Sequence, residues 1–162
     1  MKREIQKLIY IETTIPSFYH TLRTDAESRV RQKWTRQWWN EYADIFTLVS
    51  SVAVIEELSG GRGEKIQDRL DLLKDVELLS LTDDIEQTAR TYIERLVMPR
   101  APSGDALHLA IASFYNADSL LTWNCRHLAN ANKIHLIRQI NQELGLPTPE
   151  LTTPLNYLGG DD

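Results

Sequence analysis

The chain has 162 residues, 18 Lys+Arg against 23 Asp+Glu, a formal net charge of −5, 42% hydrophobic and 25% charged residues. This is ordinary globular composition at a common domain length, so the expectation is one domain over residues 1–162 rather than a linker-rich chain. The acidic balance excludes a protein that holds nucleic acid by bulk charge alone, and the single cysteine, Cys125, excludes a disulfide framework and a Cys-based zinc site. No apolar run approaches the ~18 residues of a membrane helix. The segment before Glu12 lacks the apolar core of a signal peptide. Together these predict a soluble, cytoplasmic protein.

In chain order, Leu8-Ile9-Tyr10-Ile11 is short, apolar and β-prone, and reads as a strand buried on both faces. Thr14 and Pro16 then open a short helix over about residues 16–22. A long polar, Arg- and aromatic-rich helix follows over residues 24–42, with Thr24 as its N-cap and Val30, Trp34 and Trp38 on one face. A second strand over residues 45–49 leads to Ser50 or Ser51 as the cap of a helix that stops at Gly60-Gly61. Residues 66–73 form another amphipathic helix, 76–79 a strand, and Thr82 caps a helix to about residue 97. Beyond a Pro-rich loop, Ser103 caps a strongly apolar helix over residues 105–115, and 119–122 is a fourth strand. Helical stretches around Arg126 and over about residues 133–144 precede a Pro/Thr/Gly-rich tail, in which 150–152 is a candidate strand. Strands alternating with helices predict a mostly parallel sheet covered on both faces, whose binding crevice lies beyond the carboxyl ends of the strands.

Polar residues stand at those ends. Glu12 closes the first strand, Asn124 lies just past the fourth, and Asp105 opens the helix that leads into it. Glu57 sits in the last turn of its helix, against the dipole, and borders the core stripe more closely than Glu56 does. Clustered carboxylates repel one another unless a cation neutralises them, and oxygen ligands without Cys or His pairs select Mg²⁺ or Mn²⁺.

At these residues the sequence resembles the PIN-domain nucleases, especially the VapC-like toxins. The matching pieces are Tyr10-Ile11-Glu12-Thr13-Thr14-Ile15-Pro16-Ser17, the 51–58 segment, Ser103-Gly104-Asp105-Ala106-Leu107-His108-Leu109-Ala110-Ile111-Ala112 and Leu120-Leu121-Thr122-Trp123-Asn124-Cys125-Arg126-His127-Leu128. They span about residues 7–130, leaving 131–162 as a C-terminal helix and tail. The resemblance implies a three-layer α/β/α sandwich around a parallel sheet, one or two Mg²⁺ or Mn²⁺ ions in an acidic pocket, and hydrolysis of RNA phosphodiester bonds. It implies catalytic roles for Glu12, Glu57, Asp105 and Asn124, with Glu12 and Asp105 holding metal. It also brings the reading as the toxin of a type II toxin–antitoxin pair, with a small antitoxin partner and a homodimer. Glu12 stands where the family usually has Asp, one methylene shorter. Asn124 lacks the charge of the acid often found there, so a second ion is expected to bind more weakly.

Other features fit around this reading. Arg23, Arg29, Arg31, Lys33 and Arg36 outnumber Asp25 and Glu27 on the long helix and, with Trp34, Trp38 and Trp39, form a candidate RNA-binding stretch. The opposing expectation is that Trp34 and Trp38 pack on the core or a partner. Thr13, Thr14 and Ser103 are candidate hydroxyl or N–H donors around the pocket. His108, one turn after Asp105, is expected to pack or to support the site rather than bind metal. Gly60-Gly61-Arg62-Gly63 lacks P-loop spacing and reads as a turn. The rival readings are a catalytically weak or inactive PIN-like module that binds RNA or protein, and another Mg²⁺-dependent α/β enzyme such as a phosphatase.

Overall fold

The structure is a computed structural model that describes residues 6–61, 63, 65–95, 98 and 104–159. Its centre is a five-stranded parallel sheet: β1 (Leu8–Ile11), β2 (Thr47–Ser51), β3 (Glu77–Leu79), β4 (Ser119–Leu121) and β5 (Glu150–Thr152), in the order β3-β2-β1-β4-β5. The helices are α1 (Thr14–Tyr19), α2 (Ala26–Tyr42), α3 (Val52–Ser59), α4 (Ile66–Leu72), α5 (Asp83–Glu94), α6 (Asp105–Phe114) and α7 (Ile134–Leu144). They flank the sheet as a three-layer α/β/α sandwich.

β1 is the middle strand, which explains its unbroken apolar run. Ile9, Tyr10 and Ile11 are fully buried and pair with β2 on one side and β4 on the other. Leu120 and Leu121 of β4 and Leu109 and Ile111 of α6 complete this part of the core. From β1 the chain adds β2 and β3 outward on one side. It then returns to lay β4 against the opposite side of β1. The order reverses between β1 and β4, so the crevice of such a fold opens at their carboxyl ends, where Glu12 and Thr122 emerge.

Several boundaries differ from the sequence expectation, each for a local reason. The cap of α2 is Asp25, not Thr24, because the Asp25 carboxylate accepts the Ser28 N–H at 3.0 Å. Helix α1 starts two residues early, at Thr14, and ends at Tyr19; the Thr14 hydroxyl does not cap it, being turned toward Glu12 instead. β2 runs from Thr47 through Ser51, and Ser51 then caps α3. The stretch around Arg126 is a series of turns, not a helix: Asn124 accepts the His127 N–H on its side-chain oxygen and the Leu128 and Ala129 N–H groups on its carbonyl. Ser103 lies outside the described residues, and the helix expected to reach about residue 97 ends at Glu94, with Arg95 as its C-cap. The candidate strand at 150–152 does join the sheet, as β5, and a 3-10 turn over Pro154–Tyr157 follows it.

α2 settles the role of two of its tryptophans. Trp38 is fully buried and packs with Tyr42, Phe46 and Tyr157. Trp34 stacks on Trp123 with ring centroids 6.1 Å apart. Thr35, between them, accepts the Trp123 indole N–H at 2.7 Å and so ties α2 to the segment after β4. Val30, expected on the packed face, is 38% exposed. No described helix is long and apolar enough to cross a membrane.

Candidate active site

Glu12 is the first residue past β1, and its N–H still bonds to Leu121 C=O at 3.2 Å, prolonging the sheet by one rung. The longer glutamate side chain folds back over the start of α1. Its Oε1 accepts the Thr14 hydroxyl at 2.8 Å and the Thr122 hydroxyl at 2.9 Å, and its Oε2 accepts the Thr14 N–H at 2.9 Å. Only 3% of Glu12 is exposed, and burial raises its pKa above the usual carboxylate range. The charge of His108 and the bonds from Thr14 and Thr122 pull in the opposite direction.

The line continues to Asp105. Thr122 Oγ1 accepts the Asn124 N–H at 2.9 Å, and Asn124 Nδ2–H donates to Asp105 Oδ1 at 2.8 Å. Asp105 is 9% exposed at the first turn of α6. Glu12 and Asp105 are therefore joined through Thr122 and Asn124 across the β1/β4 switch point.

Glu57 reaches the same region from α3. Its Oε1 lies 2.7 Å from His108 Nε2, and because a carboxylate has no hydrogen to give, the imidazole N–H donates. Glu56, its neighbour, is exposed. The other ring nitrogen, Nδ1, lies 2.7 Å from Tyr10 Oη, which is 2.8 Å from Ser51 Oγ. Burial lowers the pKa of His108, but the Glu57 bond and the charges of Glu12, Glu57 and Asp105 outweigh it and leave that pKa raised. For Glu57 burial acts upward, and the bond and charge of His108, with the Thr13 hydroxyl, hold it below its ordinary value. His108 thus stands where three carboxylates act on one imidazole.

Among the described residues no group of three or more His, Cys, Asp or Glu side chains is placed to hold an ion. His108 engages Glu57 Oε1, so Glu57 is turned toward the imidazole rather than into a three-carboxylate cage. The chemistry of Glu12 and Asp105 does fit Mg²⁺ or Mn²⁺, since Mg²⁺ is commonly bound by one or two carboxylates, with water and substrate phosphate oxygens supplying the rest.

The sequence singled out Glu12, Glu57, Asp105, Asn124, Thr13 and Thr14, and all six lie in these two hydrogen-bonded arms. Thr122, Tyr10 and Ser51 join them in the structure without being legible as site residues in the sequence. Tyr10 lies within a strand and reads as core, Ser51 reads as a helix cap, and Thr122 reads as the last residue of the fourth strand, so no local signal marks any of them as a site residue. The basic stretch is less available than its composition suggested. Arg31 is salt-bridged to Glu27 at 2.9 Å and lies over the Phe18 and Trp123 rings, and Arg36 donates to Tyr19 C=O and covers the Tyr19 ring. Arg23 lies 3.6 Å from Asp25, and Arg29 and Lys33 are exposed.

No family model and no curated protein matches the chain. Among solved structures, a chain of the VapBC2 complex from Rickettsia felis, bound to a DNA fragment from its promoter, is similar over 90% of this chain and 98% of its own, with TM-score 0.56 and 18% identity. At that identity the likeness is one of fold, a three-layer α/β/α sandwich around a parallel sheet.

Proposed function

We propose that the chain is a metal-dependent ribonuclease that hydrolyses RNA phosphodiester bonds as the toxin of a toxin–antitoxin pair. The observation that supports it most is the joining of Glu12 and Asp105 through Thr122 and Asn124 at the sheet's switch point. Glu12 and Asp105 would hold the divalent cation, Mg²⁺ or Mn²⁺. When bound, such an ion supplies a water of lowered pKa and neutralises charge on the scissile phosphate. Asn124 fixes the Asp105 carboxylate, Thr14 and Thr122 fix that of Glu12, and Glu57 orients the attacking water. Arg23, Arg29 and Lys33 are the basic side chains available to the RNA backbone. The likeness to a VapBC2 chain favours a small antitoxin partner. A homodimer and a cytoplasmic location go with this reading.

A second reading keeps the fold without the reaction. It is favoured by the commitment of the Glu12 oxygens to hydroxyl and amide donors and by the lack, among the described residues, of a three-ligand metal group. RNA cleavage assayed with Mn²⁺, with chelator and with Asp105→Ala separates the two. The nuclease reading expects cleavage that chelator and Asp105→Ala both abolish. Cleavage indifferent to both would reject it, and equal RNA binding without cleavage by both proteins would establish the module.

A further inference from the structure

Glu57 occupies a position that its own helix disfavours, near the C-terminal end of α3 where the dipole is negative. What retains it there comes from α6. His108 is buried, with 2% of its side chain exposed, whereas 38% of the Glu57 side chain is exposed, so the imidazole stands behind and the carboxylate faces outward. Gly104, at the N-cap of α6, leaves the space for this pair: a Cβ there would collide with Glu57 Oε1 and stand 3.3 Å from His108 Nε2. The ring is itself held. Its Nδ1 meets Tyr10 Oη, and Tyr10 meets Ser51 Oγ, the cap of α3. Both ends of α3 are thereby referred to one histidine, Ser51 through Tyr10 and Glu57 directly.

We infer that His108 is a positioning residue for the hydrolysis, holding the Glu57 carboxylate at the exposed edge of the site against the attacking water. The inference rests on the nuclease reading above. It explains why an imidazole bonded at both ring nitrogens is buried among three acids. It also explains why glycine precedes Asp105, although its φ of −83° would suit any residue.

The experiment compares wild type, His108→Leu, His108→Gln and Gly104→Ala for RNA cleavage with Mn²⁺, after circular dichroism has shown each to be folded. Loss of a partner that orients a site residue typically costs about 10–100-fold, so His108→Leu is expected to lower kcat by that factor with KM little changed. His108→Gln, whose amide can donate to Glu57, is expected to recover most of the loss. Gly104→Ala displaces Glu57 and is expected to match His108→Leu although His108 is intact. A folded His108→Leu with wild-type kcat, a loss confined to KM, or no rescue by glutamine would each overturn the inference. The pair is read independently in metal-free protein by the His108 Nε2–H proton resonance, expected downfield in wild type and shifted upfield by Glu57→Ala. An unmoved resonance overturns the inference alone, and a wild type that cleaves no RNA overturns it together with the nuclease reading.

Discussion

The two arms of the site are built differently. The Glu12–Thr122–Asn124–Asp105 arm orients its carboxylates with neutral donors, two hydroxyls and two amide N–H groups. The Tyr10–His108–Glu57 arm places a titratable ring against its carboxylate. Neutral donors fix direction without cancelling charge, and although the charge of His108 also acts on Glu12, burial still leaves the Glu12 pKa raised, a penalty that a divalent cation would relieve. The second arm meets the charge of Glu57 with an imidazole. An ion is therefore expected on the first arm and a water-directing carboxylate on the second.

The largest expected effect breaks the first arm at its end. Asp105→Ala removes a proposed metal ligand, and since losing even a partner that merely orients a ligand costs about 10–100-fold, cleavage is expected to fall by more than that. Steady-state cleavage with Mn²⁺ reads it. A loss under about tenfold would mean that the two arms are not divided as described.

Thr122→Val acts within the same arm. It removes a buried donor to Glu12 and takes the acceptor from the half-buried Asn124 N–H, a change that costs about 1–3 kcal/mol. Urea unfolding is expected to show that loss, and Mn²⁺ titration a weaker affinity. Valine with unchanged affinity would show that Thr122 supports the fold rather than the ion.

How far these arms were legible from the sequence follows from the range of each signal. Glu12 and Asn124 were visible because each sits at the end of a strand whose apolar run is unmistakable, and Asp105 because a long apolar helix follows it. Glu57 was visible because it sat against the dipole. The bonds that organise them were not. Tyr10 and His108 are 98 residues apart and Glu57 and His108 51 apart, and no local pattern encodes a contact over that distance. The misplaced starts of α1 and α2 have the same origin at short range. Thr14 and Thr24 looked like caps, but the Thr14 hydroxyl serves Glu12, and Asp25 caps α2 by accepting the Ser28 N–H three residues on.

Asn124→Asp sharpens the contrast by placing a charge in the neutral arm. The substitution keeps the oxygen that accepts the His127 N–H but loses the donor to Asp105 and sets a like charge beside it. Metal-free stability is expected to fall by about 1 kcal/mol. Mn²⁺ is expected to restore it, because a cation rewards the added carboxylate. Urea melts with and without the ion read both halves, and a deficit that Mn²⁺ leaves intact would place the ion elsewhere.

The smallest effect is a pH dependence that belongs to the second arm. The His108 pKa is raised in the folded protein, so its contribution to stability is fully present below its ordinary value of 6.5 and is lost as pH rises through the folded value. The Glu57 pKa is lowered, so its contribution is present above the ordinary value of 4.5 and is lost as pH falls through the folded one. The pair therefore stabilises most between those ordinary values and fades on the alkaline side as the imidazole gives up its proton. Because Glu57 is partly exposed, solvent screens the interaction and the change is expected to be about 1 kcal/mol or less. In chelator, urea unfolding of wild type from pH 6 to 9 is expected to show this decline, and His108→Gln to flatten it, since an amide does not titrate. An equally steep decline in the variant would assign the titration to another group and reduce the second arm to a neutral hydrogen bond, no different in kind from the first.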